Sequence, residues 1–521
     1  MAKFLPGDPA AGQGFGMSVD VSDQTIVVGA PFDREVARDA GAAYIFEQLT
    51  GEWSQTLKLT WSSGSSVDNQ FGFAVATDGV SIVVGAPFWD DTGPIRGMIA
   101  IYDRDSGGWG LRKFAEGVDY FVYGWAVDLQ SGRAAVGKPN ILSDGCCPVF
   151  HRRSGGSWVG DNTAGLITPD HGASIAIYGD HALAGDPFAN DAAFIYKRYE
   201  TTGTPTWHDV ALLMPEDRYD FDRYFGASVA MHGDTAVVGA PGDDEAGENA
   251  GAVYVFRRVS DLLWVQVAKL LPSVPEPNAY FGMSVSLSDR YLTAGAPWSD
   301  QAGTDAGVVV VYQLSGVTEW DVLATLSASD AEPGDELGFA VSIDIDGSLC
   351  VIGAPGDDDG GIDAGAVYLF DVSALGPRVT DPPDDTSVYY GDGATLSIDA
   401  GGTPEVLFQW QKDGVLLFDD ARISGSQTAE LSIANSLMRD EGAYTCLVYN
   451  ACGSAMSAAA YLDVICRADF DGNGTINTLD VLAFLIAFNV ADPSADFDGN
   501  GTVNTIDFLA FLNAFNAGCI E

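Results

Sequence analysis

The chain has 521 residues, of which 47% are hydrophobic, 62 are glycine and 23 are proline. This length predicts two to four domains, and the hydrophobic fraction excludes a chain that is disordered throughout. With 25 basic and 73 acidic side chains, the net charge of −48 disfavours nucleic acid and anionic membranes as partners and favours cations, calcium above all. A solubilising acidic surface accounts for most of these carboxylates.

A sequence motif recurs seven times between residues 1 and 373. Each unit opens with a residue, usually phenylalanine, followed by glycine, and its second apolar strand ends in Gly-Ala-Pro or a variant of it. The openings are Phe15-Gly16, Phe71-Gly72, Tyr123-Gly124, His171-Gly172, Phe225-Gly226, Phe281-Gly282 and Leu337-Gly338. They follow one another at 56, 52, 48, 54, 56 and 56 residues, which indicates one supersecondary unit repeated along the chain.

Each unit predicts four strands, which in the fifth unit cover 225–231, 235–240, 252–256 and 264–271. One such sheet cannot bury both of its faces, whereas a ring of sheets can. The sequence therefore predicts a mainly β fold that begins with a seven-bladed β-propeller over residues 1–373. The seventh unit lacks a fourth strand, and residues 2–6 align with residues 268–272. We expect the N-terminal strand to complete the last blade and remove an exposed edge.

These units resemble FG-GAP repeats, which form the propellers of integrin α-subunits and occur in many secreted bacterial proteins. The resemblance implies a binding or adhesion platform for a protein or a glycan. Integrin-type repeats bind calcium in the hairpin between their first two strands, but that hairpin is short here. Only the segment from Asp344 through Asp346 to Gly347 is similar, and it offers too few oxygens for calcium.

Acidic residues follow the Gly-Ala-Pro segments of several units. They are Asp33 with Asp39, Asp243-Asp244-Glu245, Asp300 with Asp305, and Asp357-Asp358-Asp359 with Asp363. Because equivalent positions of equivalent blades share one face, these residues predict an acidic rim. Two interpretations stay open: solvated turns, which Asp and Gly favour, or a surface that binds cations or a ligand weakly.

A linker over residues 374–385, with prolines at 377, 382 and 383, separates the repeats from a second domain at residues 386–464. This segment resembles an immunoglobulin-like β-sandwich, with Trp410 as the core tryptophan and a run from Asp440 through Tyr444 to Cys446. The partner cysteine is absent, because Ile398 occupies its place. The resemblance implies a sandwich without its inter-sheet disulfide.

Two nearly identical twelve-residue loops lie 27 residues apart in the C-terminal module, residues 465–521. Calcium takes six to eight oxygen ligands, and loops of the EF-hand type supply them from positions 1, 3, 5, 7, 9 and 12. In the first loop these are Asp469, Asp471, Asn473, the Thr475 carbonyl, Asn477 and Asp480. In the second loop they are Asp496, Asp498, Asn500, the Thr502 carbonyl, Asn504 and Asp507. The sequence predicts two calcium ions, and an acidic turn that merely caps a helix is the alternative.

Each loop runs into an apolar helix, 479–489 or 506–516, and no helix pattern precedes the first loop. With aspartate at position 12, the module resembles a type I dockerin, a small α-helical module of paired calcium loop-helix repeats. The resemblance implies docking to a cohesin-like partner through Thr478, Leu479, Thr505 and Ile506. The apolar surface around them, with Phe484 and Phe511, could equally be the core of the module itself.

The remaining expectations concern cysteines, location and catalysis. Cys466 and Cys519 bracket the last module and could pair, Cys350 is predicted to be a buried thiol, and Cys146, Cys147, Cys446 and Cys452 stay unassigned. No apolar run is long enough to span a membrane, and residues 1–6 show no signal peptide. We expect an extracellular or cell-surface protein without catalytic residues, since the five histidines match no catalytic motif. The alternatives are a component of a polysaccharide-degrading system, with glycoside hydrolase activity in or carried beside the propeller, and a purely structural role in a surface layer or matrix.

Overall fold

The computed structural model describes residues 1–521 except 50, 63–66, 91–94, 118–121, 140–147, 165–171, 189, 201–202, 218–222, 317, 373–374, 403–405, 451–452 and 520–521. His171, Cys146, Cys147 and Cys452 therefore lie outside the described residues. The chain divides into two compact units, Met1–Ser373 (unit 1) and Ala374–Glu521 (unit 2).

Unit 1 consists, in its described residues, of seven sheets that follow one another along the chain and that are antiparallel apart from one strand pair in the fourth. A first strand, β1 (Ala2–Phe4), precedes them. Sheet 1 contains β2 (Ser18–Ser22), β3 (Thr25–Ala30), β4 (Ala42–Leu49) and β5 (Glu52–Thr60). Sheet 2 contains β6 (Ala74–Thr77), β7 (Ser81–Ala86), β8 (Met98–Asp105) and β9 (Gly108–Glu116). Sheet 3 contains β10 (Val127–Gln130), β11 (Arg133–Val136), β12 (Val149–Ser154) and β13 (Ser157–Gly160).

The other four sheets repeat this strand order. Sheet 4 contains β15 (Ser174–Tyr178), β16 (His181–Asp186), β17 (Ala192–Tyr199) and β18 (Thr206–Leu213), and β14 (Asn162–Ala164) pairs with β18 in parallel. Sheet 5 contains β19 (Ser228–His232), β20 (Thr235–Ala240), β21 (Ala252–Ser260) and β22 (Leu263–Leu270). Sheet 6 contains β23 (Ser284–Leu287), β24 (Tyr291–Ala296), β25 (Val308–Leu314) and β26 (Trp320–Leu326). Sheet 7 contains β27 (Ala340–Ile343), β28 (Leu349–Ala354) and β29 (Ala366–Asp371).

The seven sheets close into a ring. The first strand of each sheet contacts the first strand of the next, and β27 of sheet 7 contacts β2 of sheet 1. Strand β1 completes sheet 7, because Ala2 pairs with Leu369 and Phe4 pairs with Val367. The expectation that the N-terminal strand supplies the missing fourth strand is confirmed.

The core of unit 1 lies between neighbouring sheets, and the repeated glycines permit the sheets to approach. Phe15, Phe71, Phe225 and Phe281 are fully buried in these interfaces. A Cβ placed on Gly29 would lie 1.9 Å from the carbonyl oxygen of Gly72 in the next sheet. Only glycine fits such a position, which explains why every unit has a glycine within one residue of the end of its second strand.

Sheet 3 replaces one aromatic pair of the repeat by a polar pair. Where sheet 1 packs Phe15 against Phe46, with ring centroids 6.1 Å apart, sheet 3 has Tyr123 and His151. The Tyr123 hydroxyl lies 2.6 Å from Nε2 of His151, and both side chains are buried. Burial lowers the pKa of His151 to about 3, so the imidazole is neutral at physiological pH.

Unit 2 begins with a β-sandwich. Its largest sheet has β31 (Thr386–Tyr389), β40 (Ala460–Ile465), β38 (Gly442–Asn450), β34 (Leu407–Lys412) and β35 (Val415–Leu416) in this order, and β39 (Gly453–Met456) also pairs with β38. The facing sheets are β32 (Ala394–Ser397) with β37 (Glu430–Ile433) and β36 (Ile423–Ser424), and β30 (Arg378–Asp381) with β33 (Asp399–Gly401).

The core of this sandwich has the features that the sequence predicts. Trp410 and Cys446 are fully buried, and Ile398 packs in the same core. Cys446 is a free thiol, so packing replaces the inter-sheet disulfide. The Tyr444 hydroxyl donates to the carbonyl oxygen of Asp440 at 2.8 Å, which is the tyrosine corner of immunoglobulin-like folds.

Two helices, α1 (Thr478–Asn489) and α2 (Thr505–Ala517), form the end of the described chain. They pack through Phe484 and Phe511, whose parallel rings have centroids 4.2 Å apart. Cys466 and Cys519 form a disulfide across this module, and Cys350 is a buried thiol in unit 1; both expectations are confirmed. In the part of the chain that the structure describes, no helix is long and apolar enough to cross a membrane.

Candidate functional site

The first C-terminal loop gathers three carboxylates. Oxygen atoms of Asp469, Asp471 and Asp480 lie within 4.8 Å of one another. The backbone folds around them: the N–H of Gly474 donates to Asp469 at 2.7 Å, and the N–H of Asn473 donates to Asp469 at 3.0 Å. A left-handed φ of 79° at Gly474 permits this tight turn, because such a conformation is strained for residues that carry a Cβ.

The second loop repeats this arrangement almost bond for bond. Asp496, Asp498 and Asp507 bring their oxygens within 4.8 Å of one another. The N–H of Gly501 donates to Asp496 at 2.7 Å, and Gly501 has a φ of 85°. The N–H of Asn500 donates to Asp496 at 3.1 Å. A geometry that recurs in two loops is a property of the shared sequence pattern.

Position 12 of each loop lies at the base of the following helix, where backbone groups hold it. Asp480 accepts from the N–H of Asn477 at 2.7 Å and from the N–H of Asp471 at 3.2 Å. Burial raises the pKa of Asp480, but these hydrogen bonds outweigh it and place the pKa below the usual range. The N–H groups of Asp498 and Asn504 lower the pKa of Asp507 in the same way. Both groups are therefore carboxylates at neutral pH.

The other predicted ligands have two kinds of environment. Side-chain oxygens of Asn473 and Asn500, at position 5, accept from the N–H groups of Thr475 and Thr502, each at 3.0 Å. At position 9 the structure assigns a further role, because Asn477 is the N-cap of α1. Its Oδ1 accepts from the N–H of Leu479 at 2.8 Å, and its Nδ2 donates to the Thr475 carbonyl at 2.9 Å.

Asn504 repeats this capping role in the second loop. It accepts from the N–H of Ile506 at 2.8 Å and donates to the Thr502 carbonyl at 2.9 Å. From the ligand spacing alone, both position-9 asparagines are predicted to bind metal. The signal for a cap was present, since asparagine three residues before an aspartate at a helix start forms a capping box.

Each loop supplies a donor set of the type that calcium takes. Three carboxylates, an amide oxygen and a backbone carbonyl are hard oxygen ligands, and no sulfur or imidazole group is among them. The residues present therefore fit a calcium ion. In the described residues, no other group of three or more acidic, histidine or cysteine side chains gathers its ligand atoms so closely.

The residues predicted to face a partner are exposed. Leu479 is 57% exposed and Ile506 is 59% exposed, and Thr478 and Thr505 beside them are also at the surface. Phe484 and Phe511, by contrast, are fully buried. The two phenylalanines therefore form the core of the module, whereas the residues at positions 10 and 11 do not belong to it.

Two interpretations of the acidic rim of unit 1 were open: solvated turns, or a surface that binds cations or a ligand weakly. At three positions the structure agrees with neither. Asp33, Asp243 and Asp357 are each at most 3% exposed. Each accepts hydrogen bonds from one tyrosine and one lysine of its own sheet. The contacts are Asp33 with Tyr44 (3.1 Å) and Lys58 (2.9 Å), Asp243 with Tyr254 (2.8 Å) and Lys269 (2.9 Å), and Asp357 with Tyr368 (2.9 Å) and Lys3 (2.8 Å). These carboxylates are part of buried ion networks.

The lysines of these networks bind further carboxylates at the surface. Lys58 contacts Asp8 and Glu35 as well as Asp33. Burial alone would lower the pKa of Lys58. The three carboxylates together have the larger, opposite effect and raise the pKa above its usual value, so the ammonium group keeps its charge. The solvated-turn interpretation fits Asp300, which is exposed and accepts from the N–H of Asp305 at 2.9 Å.

The hairpin segment with Asp344 has a structural role. Asp344 is 3% exposed and accepts from the N–H of Asp23, in sheet 1, at 3.1 Å. Asp346 accepts from the N–H of Ser348 at 2.8 Å. The carboxylate of Asp344 thus joins sheet 7 to sheet 1.

Family models match both units. The model of the FG-GAP repeat matches residues 1–46, 53–102, 207–256, 264–312 and 320–370, and the model of the immunoglobulin I-set domain matches residues 377–464. The chain carries FG-GAP repeats and an immunoglobulin I-set domain. Domains of these two kinds fit a non-catalytic binding role and an extracellular location.

Individual relatives match only a small part of the chain. It is 37% identical over 91 residues to Protein sidekick-2 of Gallus gallus, covering 17% of this chain and 4% of that protein. This chain is also 34% identical over 110 residues to Roundabout homolog 2 of Homo sapiens, and the match covers 19% of this chain and 8% of that protein. The solved structure of titin M4 is 25% identical and covers 18% of this chain and 98% of that one, with a TM-score of 0.17. The chain thus spans less than a tenth of the curated relatives.

Proposed function

We propose that the chain is an extracellular, non-catalytic binding protein with two binding regions. In this proposal the ring of seven sheets is a seven-bladed β-propeller that recognises a protein or glycan ligand. Residues 465–521 form a dockerin-like module that binds two calcium ions and attaches the chain to a cohesin-like partner. The observation that carries the proposal is the acidic loop with its helix, present twice with the same hydrogen bonds.

Calcium has a physical role in this module. Each loop holds three carboxylates whose oxygens lie within 4.8 Å of one another, and like charges at such distances repel. A bound cation reverses the sign of this interaction and stabilises the loop on which each helix begins. The capping asparagines Asn477 and Asn504 then connect the ligand loop directly to the helix.

The exposed faces of the two helices support docking to a protein. On α1, Leu479, Leu482 and Ile486 are 57%, 54% and 61% exposed, and they are spaced three and four residues apart on one helix face. On α2, Ile506 and Leu509 are each 59% exposed at the positions equivalent to the first two. Contiguous exposed apolar surface of this kind indicates an interaction site in a soluble protein.

A calorimetric titration of the full chain with calcium tests the metal sites. We expect two bound ions, and we expect EDTA to reduce the helical signal of the circular dichroism spectrum. Asp463 is exposed, lies in strand β40 and belongs to neither loop, so Asp463→Asn is a control that should leave both sites intact. Absence of binding, or one site without a change in helicity, would contradict the proposed role of the module.

Docking is tested by surface binding of the full chain to immobilised cohesin domains in calcium and in EDTA. We expect calcium-dependent binding that Leu482→Glu abolishes. Leu407, which is 57% exposed in the immunoglobulin-like domain, provides the matched control Leu407→Glu. Two intact calcium sites without binding to any cohesin would refute the docking role and leave the metal sites in place.

A further inference from the structure

A cavity of about 670 Å³ lies on the axis of the ring of seven sheets. The first strand of every sheet contributes to its wall. At equivalent positions these strands place Asp20, Asp128, Ser286 and Ser342 in the wall, and alanine in the other three sheets. A volume of this size is typical of sites for small molecules. We call this space the axial cavity.

The polar residues of the wall join neighbouring sheets. Each accepts a hydrogen bond from a backbone N–H of the next sheet. The pairs are Asp20 with Thr77 (2.6 Å), Asp128 with Ile177 (2.6 Å), Ser286 with Ile343 (3.0 Å) and Ser342 with Val21 (3.3 Å). Sheet 2 has Ala76 at the equivalent position and so offers no acceptor to sheet 3. There the N–H of Leu129 donates instead to Asp128 of its own sheet at 2.8 Å. This part of the wall is explained by the stability of the ring.

The wall differs where sheet 5 meets sheets 4 and 6. Here Ala176 and Ala230 stand at the positions that carry acceptors elsewhere. Met231 and Leu287, which line the cavity beside them, have backbone N–H groups that no group in the described residues accepts. Both groups lie on the edge strand of a sheet, where a backbone N–H without a neighbouring strand faces water or a ligand.

An aromatic surface lies next to these two donors. Tyr178 and His232 both line the cavity, and their ring centroids are 4.6 Å apart. They occupy the positions at which sheets 2 and 3 carry Asp78 and Gln130, whose oxygens accept N–H groups of the next sheet at 2.8 and 2.7 Å. Sheets 4 and 5 therefore replace hydrogen-bonding side chains by an aromatic pair.

We propose that the axial cavity binds a neutral sugar residue through the sector formed by sheets 4, 5 and 6. Sugar oxygens accept from the N–H groups of Met231 and Leu287, and the C–H face of the sugar ring packs on Tyr178. Hydroxyl protons of the sugar are donated to oxygens of Asp20 in sheet 1 and of Asp128 in sheet 3, the sheet that adjoins this sector. The cavity wall carries four aspartates, Asp20, Asp23, Asp78 and Asp128, and one arginine, Arg153, and this acidic balance disfavours an anionic sugar. The inference rests on the proposed role of unit 1 as a ligand platform and names the ligand class and its position.

The test titrates the full chain with glucose, galactose, mannose, N-acetylglucosamine, cellobiose and xylobiose, followed by saturation-transfer NMR and calorimetry. We expect at least one of them to bind saturably. Tyr178→Ala should weaken binding at least tenfold, and Ala230→Phe should abolish it by filling the cavity. Phe188, an aromatic residue of the same unit that is 68% exposed, gives the control variant Phe188→Ala, which should bind normally.

Three results would overturn the inference, and they separate it from the proposed function. If none of the sugars binds, the assigned ligand class is wrong. If binding persists in both Tyr178→Ala and Ala230→Phe, the chain recognises a glycan outside the axial cavity. If Phe188→Ala loses binding as strongly as Tyr178→Ala, the site lies elsewhere on unit 1. Calcium binding by the C-terminal module is measured separately and is unaffected by any of these outcomes.

Discussion

Replacing Asp471 by asparagine should change the stability of the C-terminal module in opposite directions without and with calcium. The substitution keeps a side-chain oxygen for the hydrogen bond from the N–H of Asn473, which is 3.1 Å long, and it removes one negative charge. Two unit charges 4.8 Å apart repel by about 0.9 kcal/mol in water. Asp471 has two such neighbours, Asp469 and Asp480. The substitution should therefore raise the free energy of unfolding of the metal-free module by about 2 kcal/mol.

In calcium the sign reverses, because the ion loses one of its anionic ligands. Differential scanning calorimetry of the full chain in EDTA and in calcium follows the transition that shifts with the metal. Asp471→Asn should raise its midpoint in EDTA and reduce the upward shift that calcium causes. Asp498→Asn, the equivalent change in the second loop, should behave alike, and Asp463→Asn should change neither quantity. A midpoint that falls in EDTA, or a calcium shift of normal size, would refute the charge argument.

Three further predictions concern stability. Lys58→Met should destabilise unit 1 by about 3–5 kcal/mol in urea unfolding, because it leaves the buried carboxylate of Asp33 without its ammonium partner; a loss below about 1 kcal/mol would contradict this. Burial raises the pKa of Asp20 to about 7, so its contribution to stability is present below about pH 4 and is lost as the pH rises towards 7. Thermal unfolding between pH 4 and 8 should therefore depend less on pH in Asp20→Asn, and an unchanged profile would argue against it. Removing the disulfide with Cys466→Ala and Cys519→Ala, which are 53 residues apart, should cost about 4 kcal/mol by loop entropy, and an unchanged melting midpoint of the module would contradict this.

The repeated sheets could be predicted from sequence because their local signals agree. Phenylalanine before glycine marks the buried start of a unit, and the alignment of residues 2–6 with 268–272 predicted the closing strand that pairs Ala2 with Leu369. The two acidic loops were predictable for the same reason: every carboxylate that the structure brings together lies within twelve residues. In both cases the residues that act together are near one another in the chain or repeat at a fixed spacing.

The ion networks and the axial cavity could not be predicted in this way. The sequence predicts that Asp33 lies in a solvated turn. Its burial depends on Lys58, which is 25 residues away in the fourth strand of the same sheet. The recurrence of a lysine at equivalent positions, Lys58, Lys269 and Lys3, was the available signal. In the sequence, Met231 cannot be distinguished from other strand residues. Its N–H lacks an acceptor because the neighbouring sheet has an alanine where other sheets have an acceptor side chain, and only the fold brings the two together.

The pairing of β1 with β29 makes the two ends of unit 1 depend on each other during synthesis. Strand β1 leaves the ribosome before every other strand of the unit, yet the strand that it pairs with, β29, is the last one made. Until then sheet 7 is incomplete and Lys3 has no buried carboxylate to bind, since Asp357 also emerges late. Unit 1 therefore cannot finish folding from one end to the other as it emerges, and a ribosome that stalls before residue 366 leaves sheet 7 without β29 and without its pairing to β1.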